Sequence, residues 1–474
     1  MVFSSVTFLL YFLPVVICIY YMAPNGMRNG VLLVSSLFFY AWGEPVYICL
    51  MVLSICVNYG LGLLLGRFEK NREILALDVV INLGILGFFK YGDFLLANAN
   101  SIFHTDFEPM NLPLPIGISF YTFQAMSYII DLYRGRVQVQ KNLVNFGTYI
   151  ALFPQLIAGP IVRFKTIEEQ LSQRVHTTEH FALGVRMFIL GLGKKVIIAN
   201  SMGALWEQAG SMAGSMGPGC AWMGAIGYTF QIYFDFSGYS DMAIGLGKIF
   251  GFHFDKNFDH PYESKSITEF WRRWHISLGT WFKEYVYVPL GGNRRGLLRQ
   301  LLNIVIVWAL TGLWHGASWN FVIWGMYFGA LLILEKMFLL RAFEGLKGKM
   351  PTVYQLVSRA YTLVVVTISW VIFAIDDFHE LGAYMGSMFG FGGGSTGTGA
   401  AAAGGSPGAY LLGSYGILLI LAAVGSTEIP ARIGGKVREK LGGGFELVGL
   451  GVLFFLCLAY VVASTYNPFL YFRF

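Results

Sequence analysis

The sequence predicts an all-α, polytopic membrane protein, and three observations carry that reading. Hydrophobic residues fill 55% of its 474 positions. Only 13% of the residues are charged, about half the share in soluble domains. Apolar stretches of roughly twenty residues, the length that crosses a bilayer, recur along the chain. No stretch reads as a soluble domain and no internal repeat is visible, so residues 1–474 read as a single membrane domain. The net charge of +6 fits membrane lipids and topology better than nucleic acid. There is no basic run and no nucleic-acid-binding module.

Taken in order, residues 3–22 come first. They have an apolar core but neither a basic leader nor a small-residue cleavage site, and so read as a membrane helix rather than a signal. Candidate helices follow at 29–42, 45–66, 74–96, 114–133, 143–160, 181–202, 219–250, 301–317, 319–340, 358–376, 410–425 and 446–466. Some are too short or too polar to span alone, which leaves about eleven spans plus re-entrant or interfacial pieces. Lys and Arg cluster at 67–72, 134–141, 163–174, 336–359 and 432–440. Such clusters mark cytoplasmic loops, but here they do not alternate cleanly with uncharged loops. Orientation stays open, leaning to an outside N-terminus. The five cysteines, Cys18, Cys49, Cys56, Cys220 and Cys457, form no CxxC pair, which argues against a metal site or a disulfide framework. Residues 389–408 are a Gly-rich loop. Its Gly393-Gly394-Ser395-Thr396-Gly397 matches a nucleophile-elbow pattern but lacks the strand–turn–helix setting that gives the pattern meaning.

The functional core is placed at 228–340. Seven of the eleven tryptophans fall between Trp271 and Trp324. Tryptophan suits both membrane interfaces and ligand cavities, and two histidines inside the cluster favour the second. Ser266-Ile267-Thr268-Glu269 reads as a capping box opening a helix that runs to about Tyr285. Ile267, Phe270, Trp274, Leu278, Trp281 and Tyr285 fall on one arc, with Arg272, Ile276, Gly279 and Lys283 opposite and His275 on the border. This helix is too charged to cross hydrocarbon, so it is expected at the interface or as a re-entrant element. After Pro289, Gly291-Gly292-Asn293 reads as a turn with positive φ, and two arginines follow.

The run from Leu301 to Leu334 exceeds one span. A break is expected among Gly312, Gly316, Ala317, Ser318 and Asn320, where small residues allow close helix approach and leave room beside His315. An ionisable side chain in hydrocarbon is costly and marks a pathway or reaction centre. A histidine also exchanges protons near neutral pH. His315 and His275 are therefore the candidate catalytic residues. Trp271, Arg272, Trp274, Trp314, Trp319 and Asn320 are candidate substrate contacts, joined by Asp235, Ser237 and Tyr239 upstream. Asp235 and Asp241, six residues apart, point different ways on a helix. Each is expected to pair separately with a buried polar or basic side chain rather than form a carboxylate dyad.

The stretches QIYFDFSGYSDMAIGLGKIFGF (231–252), FWRRWHISLGTWFKEYVYVPLGGNRRG (270–296) and TGLWHGASWNFVIWG (311–325) resemble the membrane-bound O-acyltransferase (MBOAT) family in its AlgI-like polysaccharide O-acetylation branch. FPQLIAGPIVR (153–163), PIGISFYTFQAMSYIID (115–131) and the final YNPFLYFRF match as well, so the resemblance spans nearly the whole chain. It implies a ring-like helical fold around a central tunnel. It also implies that His315, in the WHG motif, is the catalytic base and that His275, in FWRRWH, is the second essential histidine. The implied reaction moves acetyl from cytoplasmic acetyl-CoA across the bacterial inner membrane. A periplasmic SGNH-type partner then places it on a polysaccharide such as alginate, cellulose or peptidoglycan. No bound cofactor or metal is implied. The Gly-rich loop has no counterpart in the family pattern.

The residues suit that chemistry on their own. Transfer from a thioester to an oxygen needs a base for the hydroxyl and a donor for the developing oxyanion. His315 is the expected base; His275, a Trp N–H or Asn320 is expected to orient substrate or steady the oxyanion. The acetyl could also rest covalently on His315, on a serine or tyrosine, or on the partner. The rival reading is a transporter or channel for an acyl donor or lipid-linked sugar, since intramembrane histidines and aspartates serve proton-coupled transport too. A scaffold that only docks the partner is the third.

Overall fold

The structure, a computed structural model, describes residues 1–157, 159–212, 217–391, 407–463 and 470. Among these residues there are helices and turns and no strand. In chain order the helices are α1 (Thr7–Met22), α2 (Arg28–Gly43), α3 (Ile48–Arg67), α4 (Arg72–Phe103), α5 (Ile118–Tyr133) and α6 (Leu143–Ala151). Next come α7 (Phe164–Ser172), α8 (Thr178–Gly193), α9 (Asn200–Ser211), α10 (Pro218–Ile249), α11 (Ile267–Arg273) and α12 (Ile276–Phe282). The last are α13 (Leu297–His315), α14 (Trp319–Lys349), α15 (Pro351–Ala374), α16 (Phe378–Met388), α17 (Gly408–Gly425) and α18 (Ile429–Ala463). Seven of them, α3, α4, α13, α14, α15, α17 and α18, are long and apolar enough to cross a membrane. The protein is an all-α polytopic membrane protein.

Local chemistry sets several helix starts. Asn71 accepts from the N–H groups of Glu73 and Ile74 at the head of α4, and Asn142 does the same for Val144 and Asn145 at α6. Such caps satisfy donors that a helix leaves unpaired. The stretch 143–160, expected as one helix, instead breaks after Ala151. Leu152 takes an extended ψ of 110°, and Pro154 begins a separate short turn at Phe153–Leu156. Proline cannot supply the N–H that continuing α6 would require.

The contacts divide the chain into two compact units. The first comprises Met1–Leu192, Tyr239–Lys256 and Lys283–Tyr285. Its centre is α5, which is buried almost all the way round, including the polar Ser119, Thr122, Gln124, Ser127 and Asp131. Tyr128 of α5 lies 5.0 Å from Phe146 and 4.8 Å from Phe164, ring to ring. α3 comes so close at Gly62 that a Cβ there would stand 2.8 Å from the Tyr128 ring. Buried Asp131 accepts a 2.6 Å hydrogen bond from the Tyr285 hydroxyl. Glu284 pairs with Arg163 at 2.6 Å and Lys165 at 3.0 Å. Burial pushes the Glu284 carboxyl up, but those two cations outweigh it and hold the group below the usual carboxylate range.

The second unit comprises Gly193–Gly238, Asn257–Phe282 and Val286–Phe474. Its α13–α14 pair is joined by the break expected from sequence: α13 ends at His315 and α14 begins at Trp319. Gly312 and Gly325 face each other there. A Cβ on Gly312 would run into the Phe321 carbonyl, and one on Gly325 into that of Trp308. The small residues serve this close approach. Gly316 is packed as closely: a Cβ on it would collide with the Phe321 ring. The turn at Gly291-Gly292 forms as expected, with φ of 107° and 55°, and Asn303 donates to the Gly292 carbonyl at 3.0 Å.

Candidate active site

The segment bearing His275 is not the continuous helix its periodicity suggests. Ser266 caps α11 by accepting from Glu269 N–H at 3.0 Å, and Glu269 reaches back to the Lys265 N–H at 2.9 Å. The helix then stops at Arg273 and restarts at Ile276. Between them His275 adopts φ +46°, a left-handed conformation that costs a residue with a Cβ. The surroundings impose it. The Asn257 carbonyl accepts the Ile276 N–H at 2.9 Å, and the Arg273 carbonyl accepts the Asp259 N–H at 2.9 Å. These bonds pull the chain out of helical register. The buried arc survives the break: Ile267, Phe270, Trp274, Leu278 and Trp281 are all buried, while Arg272 and Gly279 are exposed.

A buried carboxylate from a distant helix sets the head of α11. Glu335, fully buried in α14, accepts from Ile267 N–H at 2.6 Å, Thr268 N–H at 2.8 Å and the Thr268 hydroxyl at 2.7 Å. A negative side chain at a helix N-terminus is favoured by the exposed N–H groups and the helix dipole.

His275 is 2% exposed. Its Nδ1 lies 3.3 Å from Asn257 Oδ1. The Ser277 N–H (3.1 Å) and hydroxyl (2.9 Å) donate to the same oxygen, so that atom is the amide carbonyl and His275 Nδ1 is the donor. The proton sits on Nδ1 and the Nε2 lone pair is left open. Nε2 is buried with no hydrogen-bond partner among the described residues. Burial pushes this imidazole down to about 3, so it is neutral at physiological pH. The Phe236 ring meets it edge-on at 4.6 Å, with Phe258 at 6.4 Å.

The two histidines meet across one side chain. The Trp314 ring lies 5.9 Å from His275 and 5.0 Å from His315. His315, the last residue of α13, is 8% exposed. Trp324 at 5.0 Å and Phe373 at 5.3 Å stand edge-on to it. Three aromatic rings thus stand against it. Trp271 packs 5.6 Å from Trp324 and 4.7 Å from Trp308, and Trp274 packs 4.9 Å from Trp370. Five tryptophans of the sequence cluster, Trp271, Trp274, Trp308, Trp314 and Trp324, thus join an aromatic body around both imidazoles. The indole N–H groups of Trp271 and Trp324 are buried without a hydrogen-bond partner among the described residues.

The other candidates fall in different places. Asn320 donates to the carbonyls of Phe373 (3.2 Å) and Ile372 (3.5 Å), tying α14 to the end of α15, with its own Oδ1 buried and unpaired among the described residues. Trp319 is 51% exposed, and Arg272 is exposed as well. Asp235 pairs with Lys195 at 2.5 Å and accepts the Leu470 N–H at 2.9 Å, so it takes the separate basic partner expected of it. Ser237 is buried in the second unit, its hydroxyl unpaired among the described residues. Tyr239 belongs to the first unit and stacks on Phe3 at 4.4 Å. The Gly393–Gly397 motif and most of the C-terminal motif lie outside the described residues. His260, Glu263 and Glu428 hold possible metal-ligand atoms within 4.8 Å of one another, but Arg432 engages Glu428 at 2.6 Å. Phe236, Asn257, Phe258, Glu335 and Phe373 escaped the sequence reading. None carries a local signal, since each reaches the site through a contact between distant parts of the chain.

The sequence model described as "MBOAT, membrane-bound O-acyltransferase family" matches residues 134–374, a span that contains both histidines and the aromatic body. A relative from Pseudomonas putida, described as a probable alginate O-acetylase AlgI, is 44% identical over 401 residues, covering 83% of this chain and 81% of its own length. The chain belongs to the membrane-bound O-acyltransferase family. This MBOAT protein is an acyltransferase. It is also similar to a peptidoglycan O-acetyltransferase of Helicobacter pylori, 35% identical over 83% of this chain and 80% of that one. A teichoic acid D-alanyltransferase of Bacillus subtilis is 28% identical over 48% of this chain and 61% of its own.

Proposed function

We propose that this enzyme moves an acetyl group from cytoplasmic acetyl-CoA to an extracytoplasmic polysaccharide, with His315 as the general base. The observation that carries this reading is the pair of buried imidazoles on either side of Trp314 inside an aromatic body. His315 removes the proton from the accepting hydroxyl as its oxygen attacks the thioester carbonyl. The C–O bond forms, the C–S bond breaks, and the departing thiolate takes up the proton. His275 has the complementary task. An imidazole whose pKa is about 3 is a weak proton acceptor at neutral pH, where a general base works best with a pKa near the operating pH. Its fixed Nε2 lone pair instead suits a hydrogen bond that orients the hydroxyl. Trp271, Trp274, Trp314 and Trp324 supply a low-dielectric wall that strengthens such contacts, and the Trp271 and Trp324 N–H groups can serve the oxyanion.

Relatives named for alginate and peptidoglycan acetylation support a polysaccharide acceptor of that kind. In this proposal the enzyme lies in the bacterial inner membrane, and a periplasmic SGNH-type partner completes transfer to the polymer. The test is mass spectrometry of envelope glycans from cells with the gene, without it, and with His315→Ala. Acetylation lost in both mutants at normal protein level supports the reading. Normal acetylation with His315→Ala refutes the role of that residue.

A further inference from the structure

At the end of α1, in the first unit, two arginines and a histidine gather around aromatic rings. Arg28 lies 5.4 Å above the Tyr20 ring and 5.9 Å above Tyr21. Arg174 lies 4.4 Å above Phe252 and 5.9 Å above Tyr20. His176 places Nε2 2.9 Å from the Tyr20 hydroxyl and Nδ1 3.3 Å from Arg28 Nη1. A guanidinium only donates, so Nδ1 must accept and Nε2 carries the proton. Nε2–H donates to the Tyr20 oxygen, whose own proton goes to the Phe250 carbonyl at 2.8 Å. The histidine is thereby fixed as a neutral spacer between the two cations. Gly251 is required beside it: its φ is +81°, and a Cβ there would stand 2.8 Å from His176 Nε2.

Among the described residues this cluster has no carboxylate to pair with. Arg28 also donates to a backbone oxygen, from Nε to the Ala23 carbonyl at 3.4 Å. Arg174 Nη1 is buried with no hydrogen-bond partner among the described residues. The charges acting on Arg174 and His176 come from arginine and tyrosine, with no carboxylate among them. Two half-buried guanidiniums within reach of the same ring repel each other, and an anion between them would relieve that repulsion. The adjoining surface is apolar: Ile19 (49%), Met22 (85%), Met27 (62%) and Val175 (70%) are exposed. Tyrosines beside a cationic pair at the end of an apolar helix are the composition of a membrane–water boundary.

We propose that Arg28 and Arg174, spaced by His176, form a binding site for the phosphate headgroup of an anionic phospholipid, whose acyl chains lie along the apolar surface of α1. The guanidiniums contact two phosphate oxygens. The lipid thereby pins α1 to the 174–176 loop and the Phe250–Phe252 turn.

The test uses the purified full-length protein, stripped of lipid in detergent and titrated with phosphatidylglycerol or phosphatidylethanolamine while native mass spectrometry counts bound lipid. Wild-type protein should retain phosphatidylglycerol preferentially. Arg28→Gln/Arg174→Gln should weaken that retention by about tenfold or more, the worth of one hydrogen bond to a charged group. Arg432→Gln, which removes an exposed arginine of the second unit, should change nothing. Arg28→Lys/Arg174→Lys, which keeps the charge, should restore part of the preference, and this arm separates lost binding from lost folding. Equal phosphatidylglycerol binding by wild type and the Gln variant would overturn the site. Displacement of the lipid by millimolar inorganic phosphate would overturn the lipid as its occupant.

Discussion

Replacing Asn257 by alanine probes how His275 is held. Asn257 Oδ1 receives the His275 Nδ1–H, the Ser277 N–H and the Ser277 hydroxyl at 2.9–3.3 Å. Truncation leaves a buried imidazole N–H and a part-buried backbone N–H without their acceptor. Each stranded donor costs about 1–3 kcal/mol, so the variant should be less stable by roughly 2–6 kcal/mol. The functional effect is separate. Without Asn257 the Ser277 hydroxyl, 3.4 Å from Nδ1, is left beside that nitrogen; it can donate to Nδ1 as well as accept from it, so the fraction of molecules with an open Nε2 falls. Losing a neutral orienting hydrogen bond of about 0.5–1.5 kcal/mol slows transfer by about two- to tenfold. The assay is the initial rate of acetyl transfer by purified protein together with its periplasmic partner, with thermal unfolding in the same detergent to confirm that the variant is folded. A loss of about two- to tenfold, smaller than that of His275→Ala, is expected. A folded Asn257→Ala that transfers at the wild-type rate, or loses as much as His275→Ala, would refute the orienting argument.

Three further outcomes follow from the same structure. Burial holds His275 at about 3, against an ordinary 6.5, so between those values the unfolded chain binds a proton that the folded chain refuses. Stability therefore falls as pH drops below about 6.5, by up to about 1.4 kcal/mol per pH unit. His176, also depressed by burial and by Arg28 and Arg174, adds to the slope with the same sign. Thermal unfolding of His275→Gln between pH 7 and 5 should show a shallower decline than wild type. Glu335→Gln replaces one of two accepting oxygens by an amide N–H facing the Thr268 donors, and should lower stability by about 1.5–3 kcal/mol and reduce transfer, because α11 carries the His275 turn. Gly312→Val puts a side chain against the Phe321 carbonyl and should destabilise by about 1–3 kcal/mol, read as a lower unfolding temperature in detergent.

The features readable from sequence are those written locally. Ser266 three residues before Glu269 announced the start of α11. The glycines at 312 and 316 and the small residues after them announced the break between α13 and α14, and Gly291-Gly292 announced its turn. The six-residue offset of Asp235 and Asp241 was enough to argue against a carboxylate dyad, and Asp235 does find its own lysine. The kink at His275 was not readable. Nothing between Trp271 and Gly279 interrupts the helical period, and the break is imposed by main-chain bonds to Asn257 and Asp259. The buried arc could be foreseen even though the helix could not, because burial follows side-chain direction while continuity depends on competing hydrogen bonds. Glu335 was hidden for a related reason. A carboxylate in an apolar run looks like a liability until the two N–H groups and the hydroxyl that it accepts, from a segment far away in sequence, are seen. The small residues at Gly312 and Gly316 serve close helix approach.

The most direct measurement is a single-turnover reaction of the purified protein, together with its periplasmic SGNH-type partner, with radiolabelled acetyl-CoA and a soluble glycan acceptor, comparing wild type with His315→Ala and His275→Ala. The account predicts thioester cleavage and product formation by wild type, a loss of about 10²–10⁴-fold for His315→Ala, and a smaller loss for His275→Ala. Undiminished thioester cleavage by the His315 variant would contradict it.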